Sequence, residues 1–170
     1  MRESCMDGTD ASAAEALRQR LLSAFPTAIC AEPATSRCGE DCAAINRYLH
    51  ARAWPEIDQS FVEDFDKVID LMNERPFHSF LPAWLLFAIR DPGSTLVWSV
   101  VSCLEKARTI ALFNKDQRRL VRDVAEFLLD LGVLHHGCAR GEAESARSSI
   151  QCIWCTPRFE DRDSLFLDGA

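Results

Sequence analysis

From Phe80 to Ile89 the chain reads Phe-Leu-Pro-Ala-Trp-Leu-Leu-Phe-Ala-Ile, ten positions without a polar side chain. A segment that is apolar on every side has to be enclosed by other elements. It is too long for an ordinary strand, and its Leu and Ala content lacks the β-branched enrichment of a buried strand. The expectation is therefore the central helix of an all-α domain. Ser79 is placed to cap its first turn, Pro82 falls where the amides have no intrahelical partner, and Arg90-Asp91-Pro92-Gly93 stops it.

Periodicity supplies the elements that would enclose it. Ala14, Leu17, Leu21, Leu22 and Phe25 recur at helical steps, and Pro26 to Gly39 reads as a loop. Cys42, Ile45 and Leu49 form the inner stripe of a helix from Glu40 to about Arg52. Trp54-Pro55-Glu56 starts a third helix that keeps Ile57, Phe61, Phe65, Val68, Ile69 and Met72 on one face down to Asn73, with Pro76 breaking it. Leu96 to Ala111 repeats the step, and Asn114-Lys115-Asp116-Gln117 forms a capping box. The helix that follows has Leu120, Val121, Val124, Phe127, Leu128 and Leu131 inside, Arg118, Arg119 and Arg122 on its polar side, and Gly132 or Gly137 as terminator. The fold expected is a compact single-domain bundle of about five or six helices with an irregular C-terminal tail. Residues 1–137 make the helical domain, and residues 138–170 a connector and tail packed on it, with Ile150 to Phe159 extended.

Length and charge bound the function. At 170 residues, 48% hydrophobic and 26% charged, the chain can bury a core without staples. Its formal net charge of −7 repels phosphate backbones and anionic membrane surfaces, which argues against nucleic-acid and membrane partners and favours a basic protein. Met1 to Ala14 holds no apolar signal core, and the ten-residue apolar run is about half a membrane crossing. These features imply a cytoplasmic protein whose eight cysteines are reduced.

Three constellations compete for a role. Glu63, Asp66, Asp70 and Glu74 follow three- and four-residue steps along the outer edge of the third helix, with Lys67 among them, and offer a surface for a basic partner. His135-His136-Gly137-Cys138 and Cys152-Ile153-Trp154-Cys155 give a His-x-x-Cys and a Cys-x-x-Cys, so His135, Cys138, Cys152 and Cys155 could hold a structural zinc ion. No other cofactor is implied. The third is an enzyme using His78 or His50 beside the central helix. No phosphate loop, His-Glu-x-x-His helix or nucleophile elbow is present, and Cys103, between Val101 and Leu104, reads as a small core residue. Cys30, Cys38 and Cys42 give a weak second cluster, with Cys42 expected to be buried and Cys38 exposed.

Trp54, Leu71, the Phe80-Leu81-Pro82-Ala83 run and Gln117 together resemble a family of small bacterial helical proteins of unknown function, over about residues 14–131. Its members carry an aromatic-Leu-Pro-Ala helix, a preceding loop Trp and a late helix with Gln near its start. The resemblance implies a helical fold and, through the frequent proximity of such proteins to secreted toxins, an immunity or inhibitor role. The leading expectation is thus a non-enzymatic module that neutralises a toxin by occluding it.

Overall fold

Helix α4 (Glu74–Arg90) is wrapped as its composition demands: between Phe80 and Ile89 every side chain but the half-buried Leu86 is buried. The computed structural model describes residues 8–36, 41–106, 110–136 and 140–155. Within these, α4 touches α1 (Gly8–Ala24), α3 (Gln59–Asp64), α5 (Leu96–Glu105), α6 (Lys115–His136) and two 3-10 helices, Trp54–Glu56 and Asp66–Leu71. A short α2 (Cys42–Leu49) and a last helix α7 (Arg140–Cys155) complete an all-α bundle. No strand forms among the described residues, where an isolated antiparallel bridge joins Thr35 to Met72.

The start of α4 differs from the capping expectation. Asn73, in extended backbone, precedes the helix, and the Phe77 N–H donates to the Asn73 carbonyl at 2.8 Å. Pro76 therefore lies in the first turn, where its missing N–H is tolerated, rather than breaking a helix. Pro82 is interior, with no N–H to return to the His78 carbonyl.

The expected third helix is divided. After α3 the backbone leaves the helical region at Phe65 (φ −123°, ψ 40°) and resumes as the 3-10 helix Asp66–Leu71. Tertiary contacts accompany the break. Val68 and Ile69 go into the core, while the Asp66 carboxylate accepts the Ser99 hydroxyl of α5 at 2.6 Å. Ahead of it Trp54 is enclosed in its own turn, which the Glu56 carboxylate closes by accepting the Ala53 N–H at 2.7 Å.

Residues 140–155, expected as connector and extended tail, form α7. Ala143, Ala146, Ile150 and Trp154 recur at steps of three and four and are buried against α5 and α6. Two of those four positions are alanine, so the stripe carries little apolar signal. Trp154 Nε1 donates to the Leu104 carbonyl at 3.1 Å, which ties α7 to the end of α5. Gly132 does not end α6 but lies within it, where an added Cβ would meet the Trp98 ring at 3.4 Å. Leu22 faces solvent at 44% exposure, whereas Arg118 is buried despite its place in the polar pattern.

The capping box at the start of α6 forms as expected: the Gln117 N–H donates to Asn114 Oδ1 at 2.9 Å and the Asn114 N–H to Gln117 Oε1 at 3.0 Å. Two asparagines play the corresponding role for the strap after α1. The Asn46 side chain clamps both backbone groups of Thr35, and Asn73 binds the Ala34 and Pro33 carbonyls through its backbone and side-chain nitrogens.

Candidate functional site

The acidic residues read from the sequence are divided by the break at Phe65. Glu63 is exposed on α3 and accepts Gln59 Nε2 at 2.6 Å. Asp66 and Asp70 sit in the 3-10 helix against α5, and exposed Glu74 opens α4. They do not share one helix edge. Asp70 lies 3.9 Å from Lys106 Nζ, and its carboxylate also bears on Cys103. Burial first, then Asp70, push the Cys103 thiol well above its usual range, so it stays neutral as a small hydrophobe does.

Packing brings a different set of carboxylates beside α5. One side of that helix carries Ser99 and Lys106 toward Asp66 and Asp70. On the other side, between α5 and α7, is a groove of about 450 Å³ whose lining includes Trp98, Ser102 and Glu105 from α5 with Glu142 and Ser145 from α7. Trp98, Ser102 and Glu105 follow steps of four and three, so they occupy one helix face. Asp66 and Asp70 on one side and Glu105 and Glu142 on the other thus flank α5, with Lys106, which reaches Asp70 at 3.9 Å and the Ser102 hydroxyl at 2.7 Å, between them. No single-helix periodicity contains that set. The one local sign was that Ser102 and Glu105, three residues apart, interrupt the oily run of α5 on the face that also carries Trp98.

The histidines serve other surroundings. His78 Nε2 lies 3.3 Å from Gln117 Oε1, and its ring stands edge-on to Phe113 with centroids 4.7 Å apart. Gln117 is itself buried and donates to the Ala24 carbonyl at 2.9 Å, so this group joins α1, α4 and α6. His50 is exposed at the edge of a second groove of about 370 Å³, with Glu32, Asn46 and Arg47. The two histidines are not brought together with Cys103 in either groove.

Of the proposed zinc ligands, Cys138 and the His135 side chain lie outside the described residues. Cys152 and Cys155 are exposed thiols on the last turn of α7, where Arg122 Nη1 is 2.6 Å from Cys155 Sγ. Among the described residues no group of three or more His, Cys, Asp or Glu is placed to hold a metal ion. Cys42 corrects the expectation for the cysteines: it is half-buried and disulfide-bonded, not a reduced core residue. Cys38 lies outside the described residues. No described helix is long and apolar enough to cross a membrane.

No protein-family model, curated protein or solved structure matches the chain.

Proposed function

We propose that this chain is a protein-binding module of the bacterial cytoplasm that docks a basic partner on the acidic face around α5, as an immunity or inhibitor protein that occludes a toxin. The observation that carries this reading is that carboxylates flank α5 on two sides, Asp66 and Asp70 beside Ser99 and Lys106 and Glu105 with Glu142 in the groove, in a chain with net charge −7. Carboxylates distributed along a face attract a basic surface over several ångströms and speed the encounter, while a buried aromatic contact lengthens the complex's life. The resemblance to small helical proteins found near secreted toxins points the same way.

The test is co-expression with the adjacent reading frame. That product alone arrests growth, and this chain restores it. Reversing Asp70 and Glu142 to lysine slows association at least about tenfold and flattens its salt dependence. A harmless neighbour, or rescue and association that survive the reversal unchanged, overturns the reading.

A further inference from the structure

The groove between α5 and α7 differs from the rest of the acidic face in having an aromatic wall. The chain has four tryptophans, and three of them, Trp54, Trp84 and Trp154, are at most 1% exposed. Trp98 is the partly buried one, and it stands in the groove. Its ring lies over α6 at Gly132, where an added Cβ would meet it at 3.4 Å, an ordinary van der Waals distance. The indole thus has α6 behind it, with Val101 and Ala146 as the apolar part of the groove lining.

The polar members of the lining are carboxylates and hydroxyls. Glu105 is half-buried and has neither a hydrogen bond nor an ion pair among the described residues. Glu142 adds a second carboxylate from the first turn of α7, and Ser102 and Ser145 add hydroxyl oxygens, that of Ser102 already accepting from Lys106 Nζ at 2.7 Å.

We infer that this groove seats an arginine side chain of the docking partner, the guanidinium stacked on Trp98 and hydrogen-bonded to Glu105. This rests on the reading that a basic protein binds the α5 face, and it names the chemistry of the central contact. A guanidinium is planar, weakly hydrated and forked, so it stacks on an indole and pairs with a carboxylate at once. An ammonium is more strongly hydrated and lacks the planar fork. An anion would meet Glu105 and Glu142, and a neutral apolar group would desolvate Glu105 without compensation. At about 450 Å³ the groove falls within the size range of small-ligand pockets, which leaves room for the side chain and its flanking backbone.

The experiment has two arms. In the first, a capped Gly-Gly-Arg-Gly-Gly peptide is titrated into the full chain, and the Trp98 indole N–H resonance, assigned through its loss in Trp98→Phe, is followed by NMR. The arginine peptide moves that resonance, its lysine counterpart binds at least threefold more weakly, its citrulline counterpart has no effect, and Glu105→Gln reduces the arginine affinity about tenfold. Equal effects of the arginine and citrulline peptides, or no effect of either, overturn the assignment. In the second arm the partner identified by growth rescue is bound to Trp98→Ala and Glu105→Gln, whose folding is verified by circular dichroism. At least tenfold weaker binding supports the assignment. Unchanged binding overturns the arginine seat and leaves the acidic-face reading standing, whereas a response to the arginine peptide without any toxin partner retains the seat and rejects that reading.

Discussion

Gln117 shows how a residue chosen by local backbone chemistry becomes a tertiary joint. Its main chain and side-chain oxygen complete the reciprocal cap with Asn114, and its remaining amide nitrogen reaches Ala24, distant in sequence. The side chain is only 4% exposed, so water cannot replace these bonds. Gln117→Ala removes a cap and leaves the Asn114 N–H and the Ala24 carbonyl unsatisfied, and it should lower stability by about 2–4 kcal/mol in urea denaturation. Gln117→Glu keeps the acceptor for Asn114 but has no donor for Ala24 when ionised, and falls between the two. A loss below about 0.5 kcal/mol for Gln117→Ala would mean that the joint carries no weight in the fold.

At the level of elements, α7 and the segment between Trp54 and Leu71 mark where periodicity misled. The α7 stripe is half alanine, and alanine reads as apolar only once α5 and α6 approach closely enough to bury it. The same helix carries a conspicuous ion-pair group: Arg147 Nε lies 2.5 Å from Glu126 and Nη2 2.6 Å from Asp130, with Gln151 also donating to Glu126. The Asp130 side chain is 70% exposed and that of Glu126 36%, so solvent screens much of this attraction. Steric fit should therefore outweigh charge. Ala143→Leu, which forces three extra carbons into a site 1% exposed, should destabilise by about 1–3 kcal/mol, against less than about 1 kcal/mol for Arg147→Ala. Chemical denaturation of the two variants measures this order, and the reverse order would refute it.

Across the whole molecule, one buried cluster runs from Ala14 of α1 through α4, α5 and α6 to Trp154 of α7. With no separate core to melt alone among the described residues, unfolding should be a single transition. Tryptophan fluorescence, dominated by side chains in the Trp54 turn, α4, α5 and α7, and far-ultraviolet circular dichroism should give coincident urea curves. Non-coincidence would assign α7 or the 26–36 strap its own stability.

What the amino-acid sequence determined by itself is whatever depends on near neighbours. The oily run at Phe80–Ile89 requires enclosure whatever supplies it, the apolar spacing marks α1, α5 and α6, and Asn114 with Gln117 specifies a cap, since each is written in residues a few positions apart. Tertiary structure alone decided that the helix after Trp54 breaks at Phe65, that Ala143 and Ala146 lie inside, and that carboxylates from the second 3-10 helix and from α7 come to flank α5. Those outcomes depend on which surfaces come to lie within a few ångströms of each other. Such proximity is set by the packing of distant segments and leaves no period in the chain to be read.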